Sequence, residues 1–593
     1  MTSQRDPRVE RQTFYKMHAK CWMAAILGWS AISFGCSKRE PVVEQSVDIT
    51  EEQSEPIAEP WFSDARTNWG VNFAYQSGHK KDFLFPEIIG GGGALFDMDN
   101  DGHLDLYLVQ GGNLKKPNDP ARKNHLYRND GAGKLVDISQ GSGADDAGYG
   151  MGVAAGDFDN DGNVDLYVTN VGKNVLLRNN GDRTFTDVTE KARVGDAGWG
   201  TSTAFFDADG DGFLDLYVCN YVVWSLETDL KCFKPSGIPD YCSPSSYNEP
   251  QNDVFYRNNG DGTFRDATQS SGMNATTGNG LGVLPIDFDA DGDMDLFVAN
   301  DMTPNILWVN DGRGNFKDQA MLTGCAVDRD GQVKAGMGVC AGDILGKGNL
   351  SLLVVNLVGQ SDSFFEYQNG GFIDRTTQAG LALISRPFTR FGLGLHDFDN
   401  DSYLDLFIAN GAISLPDQMP VGDPFAEPNL LLRGSTDGRF GRVSRSESGD
   451  VEAVATSRGA IFGDLNNDGL LDIVVINRDS QLQILMNKRK SAGNWIGFDL
   501  FDKAGRRAIG ATSRIKLGDR WLRRDVNPHY SYMTSNDPRV HFGLADTKEV
   551  SSIVVKWPNK EVEEFGRFDA NQYHVLRAGR GRPFKELAPV PSK

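Results

Sequence analysis

The sequence predicts an all-β protein, a seven-bladed β-propeller followed by a small β-rich C-terminal domain. Three observations predict it. An acidic phrase recurs along the chain: DMDNDGHLDLYL from Asp97, DFDNDGNVDLYV from Asp157, DADGDGFLDLYV from Asp207, DFDADGDMDLFV from Asp287, DFDNDSYLDLFI from Asp397 and DLNNDGLLDIVV from Asp464. A degenerate copy, DILGKGNLSLLV, starts at Asp343, and the seven starts lie 60, 50, 80, 56, 54 and 67 residues apart, the spacing of a repeat architecture. Each unit also reads as four short strands with no long helical periodicity between them.

The unit around Asp157 shows the four pieces in order. Residues 151–156 (MGVAAG) are small and glycine-rich, the acidic loop follows, and VDLYVTN carries β-forming residues. NVLLRNNG is the third piece, turning at Asn180-Gly181, and TFTDVT is the fourth. Copies of that fourth strand stand at Phe62, Leu135, Phe185, Phe264, Phe316, Phe372 and, more weakly, Phe440. The first precedes the first acidic loop, and none follows Asn487. The strand near Phe62 is therefore expected to complete the last blade and close the ring. Such closure leaves no long exposed edge, and it sets the propeller at residues 59–487.

The acidic loop follows the pattern D-x-[DN]-x-D-G-x-x-D. Side chains at positions 1, 3, 5 and 9 can converge on one point, and Gly at position 6 permits the turn. An all-oxygen ligand set of this density suits a hard cation, Ca²⁺ before Mg²⁺. An EF-hand would need Glu at position 12 and a helix after it; position 12 is Leu108, Val168, Val218, Val298, Ile408 and Val475. The expected ligands are Asp97, Asp99, Asp101 and Asp105; Asp157, Asp159, Asp161 and Asp165; Asp207, Asp209, Asp211 and Asp215. They continue with Asp287, Asp289, Asp291 and Asp295; Asp397, Asp399, Asp401 and Asp405; and Asp464, Asn466, Asp468 and Asp472. That makes six calcium-binding hairpin loops. The loop at Asp343 is expected to be empty, because Lys347 stands at a ligand position. Ser402 replaces Gly in the Asp397 loop and predicts weaker binding there.

These units resemble FG-GAP (VCBS-type) repeats, the units of integrin α-chain propellers, and the resemblance implies a seven-bladed fold with Ca²⁺ in the hairpin loops. After Asn487 the text changes. Residues 508–511 (AIGA), 537–544 (DPRVHFGL) and Lys556-Trp557-Pro558 resemble the ASPIC/UnbV domain, which follows FG-GAP repeats in bacterial secreted proteins and in cartilage acidic protein. This sets a C-terminal domain and tail at residues 488–593.

The chain of 593 residues has a formal net charge of −21, which argues against a nucleic-acid partner, since phosphate binding needs a basic face. From residue 488 onward there are 21 Lys and Arg against 12 Asp and Glu, a net of +9. That excess is expected either to dock on the acidic propeller or to face an acidic partner.

Lys16, His18 and Lys20 precede an apolar run that ends at Cys36. Residues 1–36 read as an export signal, with SFGC as a lipoprotein box and Cys36 as the lipidated residue. Residues 37–58 are polar and read as a flexible linker. The expected location is the outer membrane or cell surface, or secretion, with the membrane touched only through the lipid. In an exported chain, Cys232 and Cys242 are expected to form a disulfide inside the insertion at 221–250, and Cys325 and Cys340 are candidates for a second. Cys219 reads as a buried free thiol. The insertion also holds Tyr221, Trp224, Tyr241 and Tyr247, which serve either recognition or a packed lid.

No H-E-x-x-H, C-x-x-C-H or G-x-S-x-G motif is present, and no catalytic residue is assigned. His541 reads as structural. The expected function is a monomeric binding or adhesion module for a protein or glycan at the cell surface. The alternative is a propeller hydrolase acting on polysaccharide, which would need two carboxylates facing across a central cleft.

Overall fold

The computed structural model describes residues 60–116 and 119–585. The signal region with Cys36 and the linker at 37–58 lie outside the described residues.

Among the described residues, seven four-stranded antiparallel sheets follow one another along the chain. The first is built from Gly93–Phe96, Asp105–Leu108, His125–Asn129 and Leu135–Asp137. Its register pairs Phe96 with Asp105, so the acidic phrase is the hairpin turn between the first two strands. The same register recurs as Gly156 with Asp165, Phe206 with Asp215, Ile286 with Asp295, His396 with Asp405 and Gly463 with Asp472. In the last sheet the outer strand comes from the other end of the chain. Phe62–Asp64 pairs with Gln483–Asn487, placing Phe62 opposite Asn487.

The first strand of each sheet packs against the first strand of the next, and Ser457–Gly463 of the last packs against Gly93–Phe96 of the first. The sheets thus form a closed ring around one axis. Crowding at that axis explains the glycines there. A Cβ on Gly392 would lie 2.6 Å from the Ala460 amide nitrogen and 2.7 Å from the Arg458 carbonyl oxygen of the neighbouring strand, distances that real Cβ atoms do not adopt. Apolar residues fill the spaces between sheets, as where Ala154, Tyr167 and Leu176 meet Phe205, Leu216 and Phe264.

Among the described residues the C-terminal domain holds three further sheets, the smallest pairing Glu549–Val550 with Phe568–Asp569. Asn494–Phe501 pairs with Val540–Ala545 and, in parallel, with Tyr573–Arg577. The second sheet contains Thr512–Leu517, Arg520–Asp525, Ile553–Lys556, Val562–Phe565 and Arg582–Pro583. Ile496, Phe498, Ile515, Phe542, Ile553 and Trp557 form its core.

One segment of this domain leaves it. Residues 527–537 run into the axis of the ring and bond to the inner strand of all seven sheets. Ser535 exchanges backbone bonds with Gly93 and Leu95 at 3.0 Å, and the Met533 carbonyl accepts from Val153. The Met533 amide donates to Ser202 Oγ at 3.0 Å, and Asn527 donates to the Pro285 carbonyl at 2.8 Å. Ser531 exchanges backbone bonds with Val339, and its hydroxyl accepts from the Leu393 amide and donates to the Ala460 carbonyl. Asn536 Oδ1 accepts from the Phe462 amide. Tyr532 and Met533 are buried at the centre. Gly92 is required here, because a Cβ would overlap the Met533 carbonyl.

His529, on the same segment, is 1 % exposed, and neither ring nitrogen has a protein partner. Burial pushes its imidazole pKa down to about 3. The folded protein therefore keeps it neutral, while the unfolded chain takes up a proton below the ordinary value near 6.5. Stability from this residue is full above pH 6.5 and is lost as pH falls toward 3, by about 2 kcal/mol at pH 5. His529→Leu is expected to shrink the loss of melting temperature between pH 8 and pH 5, read by calorimetry.

Cys232 and Cys242 form a disulfide with Cα atoms 5.2 Å apart. The second candidate bridge does not form: Cys325 and Cys340 are buried free thiols. Cys340 sits on the inner strand Val339–Gly342, whereas Cys325 follows the short helix Ala320–Thr323 near the outer strand, so the two face different cores. Cys219 is also a buried free thiol.

Candidate metal centres

Each acidic loop is shaped by its own carboxylates accepting from its own amides. In the Asp97 loop, Asp97 Oδ1 accepts from the Asp101 amide at 3.0 Å and Oδ2 from the Gly102 amide at 2.9 Å. Asp101 Oδ1 accepts from the His103 amide. Asp105 is deeper. Its oxygens accept from the Met98 amide at 3.0 Å and from the Asn129 amide of the third strand at 2.8 Å. The position-9 aspartate thus ties the loop to the sheet, and Asp165, Asp215, Asp405 and Asp472 repeat both bonds.

Among the described residues, five groups of carboxylates each bring one oxygen per residue within 4.8 Å of one another and could hold a metal ion. They are Asp97, Asp99 and Asp101; Asp157, Asp159 and Asp165; Asp207, Asp209 and Asp215; Asp287, Asp289 and Asp291; and Asp397, Asp399 and Asp405. Asp105, Asp161, Asp211, Asp295 and Asp401 stand beside these groups in the same loops. The Asp464 loop forms no such carboxylate trio, since Asn466 takes position 3 and its amide donates to Asp468 Oδ2 at 2.8 Å. In the Asp343 loop the backbone turn persists, with Asp343 accepting from the Lys347 and Gly348 amides, but no acidic trio gathers.

The donor chemistry fits a hard cation. Buried carboxylate oxygens normally have partners, yet Asp99 Oδ1, Asp159 Oδ1, Asp209 Oδ1, Asp287 Oδ1 and Asp295 Oδ2 have none. Asp295 is 1 % exposed. Burial, with neighbouring like charges, pushes Asp105 and Asp215 up to about 8 and Asp295 to about 9. Asp165, Asp405 and Asp472 are raised well above the carboxylate range for the same reason. Several buried negative charges side by side call for a compensating positive one.

Part of that charge comes from arginines the sequence reading overlooked. Arg128 bonds Asp99 at 2.8 Å and Asp101 at 2.7 Å; Arg178 bonds Asp159 at 2.5 Å and Asp161 at 2.6 Å. Arg257 lies 3.4 Å from Asp209, and Arg433 pairs with Asp399. All four sit just before the third-strand turn. The Asp287 and Asp464 loops have Val309 and Met486 at that place. There the C-terminal domain supplies the polar groups. Lys556 Nζ lies 3.3 Å from Asp287 Oδ2, and Lys560 bonds Asp293 at 2.6 Å. Arg539 donates to the Asp464 carbonyl and to Asn467 Oδ1, and the Tyr573 hydroxyl donates to Asp464 Oδ2 at 2.9 Å. The basic excess of the C-terminal domain therefore faces the acidic loops. His541 serves the same contact: its Nε2 lies 3.0 Å from the Gly469 carbonyl, and burial lowers its pKa to about 4.

Part of the insertion packs against the body of the protein and part is exposed. Tyr221 and Tyr241 are buried, and Phe85 stacks on Tyr247 at 5.1 Å. Phe233, Ile238, Val223, Leu226 and Leu230 are its exposed apolar residues.

A family model described as FG-GAP-like repeat matches residues 97–168, 157–218, 236–298, 287–354 and 397–475, and one described as ASPIC and UnbV matches residues 501–583. Cartilage acidic protein 1 of Mus musculus is 27% identical over 313 residues, covering 50% of this chain and 44% of that protein. The Xenopus tropicalis protein of the same name is 28% identical over 311 residues, 49% of this chain and 43% of that one. The chain thus spans less than half the length of these relatives. Among solved structures, an Agrocybe aegerita lectin that recognises non-reducing terminal N-acetylglucosamine aligns at a TM-score of 0.33 with 16% identity, over 63% of this chain and 84% of that one. YCF48 bound to D1 peptide aligns at 0.38 with 10% identity, over 73% and 99%. Likenesses this low carry no functional argument.

Proposed function

The chain belongs to the FG-GAP-like repeat proteins and carries an ASPIC and UnbV domain, and from that premise we propose that it is an exported, calcium-held, seven-bladed propeller that binds a protein or glycan without turning it over. The seven four-stranded sheets would be its blades, the loops at Asp97, Asp157, Asp207, Asp287, Asp397 and Asp464 its six Ca²⁺ sites, and the loop at Asp343 an empty one. Cys36 would anchor it by lipid at the cell surface. The Cys232–Cys242 disulfide supports an oxidising location.

The observation that carries the binding reading is the filled axis. A propeller hydrolase would place its carboxylate pair in a central cleft, and here residues 531–536 occupy the centre, bonded to the surrounding strands. The carboxylate trios found among the described residues lie instead in the hairpin loops. The experiment is a glycan and cell-surface-protein array probed with labelled protein of residues 37–593, run beside a hydrolysis assay on a polysaccharide panel. Saturable binding with no released sugar supports the proposal. Release of reducing ends would overturn it in favour of the hydrolase.

A further inference from the structure

Position 4 of the acidic phrase looks like a spacer in the sequence. In four loops it is Asn100, Asn160, Asn400 and Asn467, all held at a positive φ of 57–58°. Each side chain leaves its own loop. Asn400 donates to the Gly469 carbonyl at 3.2 Å, Asn467 to the Gly102 carbonyl at 3.0 Å, Asn100 to the Gly162 carbonyl at 3.1 Å and Asn160 to the Gly212 carbonyl at 3.0 Å. The acceptor is always the position-6 glycine of the next loop. The amide of that same glycine grips the first aspartate of its loop: Gly469 to Asp464, Gly102 to Asp97, Gly162 to Asp157 and Gly212 to Asp207, at 2.8–3.0 Å.

The bonds form one unbroken series from the Asp397 loop through those at Asp464, Asp97 and Asp157 to that at Asp207. It crosses the point where the two ends of the repeat region meet. It stops where the asparagine stops, for position 4 is Gly210, Ala290 and Gly346 in the loops at Asp207, Asp287 and Asp343. At the Asp287 loop the Ala290 carbonyl is instead taken by Lys556 Nζ of the C-terminal domain at 3.1 Å.

We propose that Asn400, Asn467, Asn100 and Asn160 are positioning residues that couple five ion sites into one cooperative unit, while the Asp287 site loads independently. The inference rests on the reading of these loops as Ca²⁺ sites. An ion held by positions 3 and 5 fixes the asparagine between them. That asparagine then orients the peptide that orders the next loop's first ligand, so the neighbour binds with less ordering left to do. Coupling of this kind is reciprocal, and loading from either end favours the rest.

The test strips the protein of residues 37–593 with a chelator, titrates Ca²⁺ by calorimetry and counts bound ions by native mass spectrometry. The variants are Asn100→Gly and Asn160→Gly. Glycine accepts the positive φ and already stands at position 4 in the Asp207 loop as Gly210, so the backbone is preserved. The original protein is expected to show a steep phase of five ions with a Hill coefficient above 1. Asn100→Gly should split that phase into three ions and two, with the weaker group losing about tenfold in affinity. Asn160→Gly should split it into four and one. If both variants bind the same ions along the same curve as the original protein, the coupling is wrong and the metal reading stands. If the original protein binds no ion, the metal reading itself falls and the coupling with it.

Discussion

Replacing residues 530–536 by a glycine–serine segment of equal length is expected to lower the melting temperature by roughly 10 °C or more. The segment makes bonds to six of the seven inner strands, with Asn527 just before it reaching the last. Each such bond is worth about 1 kcal/mol net. Burying Tyr532 and Met533 adds roughly 2 kcal/mol each. The inner strands would then face an axis lined by unpaired amides and carbonyls, the Leu393 and Phe462 amides among them. The domain would also lose the part that passes through the ring, leaving its contacts with the loops, those of Arg506, Arg520, Arg539, His541, Lys556, Lys560 and Tyr573 among them. Calorimetry of the full chain, with limited proteolysis at the junction near residue 488, reads both effects. An unchanged melt would mean that the axial bonds add nothing to the ring.

The second large effect separates two kinds of aspartate in one motif. Asp405 accepts from the amide of Phe398 in the hairpin loop and from that of Gly434 in the third strand of the sixth sheet, and all three residues are buried. Asp405→Ala leaves two buried donors without an acceptor, at about 1–3 kcal/mol each. A cost of roughly 4 kcal/mol should already appear with chelator, and it should be larger with Ca²⁺, because Asp405 also belongs to the carboxylate group of its loop. Asp289, at position 3 of its loop, accepts only a long bond from the Asp291 amide at 3.3 Å. Asp289→Ala, which removes the ligand oxygen that asparagine would keep, should leave the chelated protein as stable as the original and remove one bound ion. Melting curves in both buffers, with ion counts, distinguish the roles.

How far the sequence reached can be judged from particular residues. The outer strands were legible because Phe-x-Asp or its variants recur at each repeat, down to Phe62 beside Asn487. The disulfide followed from two cysteines ten residues apart in an insertion. The axial segment was not read, because its partners lie hundreds of residues away. One signal was present: VNPHYSYMTSN carries no Asp, Glu, Lys or Arg inside an otherwise basic domain, which is unusual for an exposed loop of that length. Arg128, Arg178, Arg257 and Arg433 were hidden in strand text, and only the register of the third strand turns them toward the loop before them. The position-4 asparagines look like spacers because their partners belong to another repeat.

The central claim is that cations hold the acidic loops, and through them the ring. It is tested most directly by melting the protein of residues 37–593 in Ca²⁺ and in chelator, and counting the ions bound. One site at 100 times its dissociation constant adds about 2.7 kcal/mol, so several sites should move the melt by well over 10 °C. The account predicts that shift with about six ions per chain. Equal melting temperatures in the two buffers, with no ion bound, would contradict it.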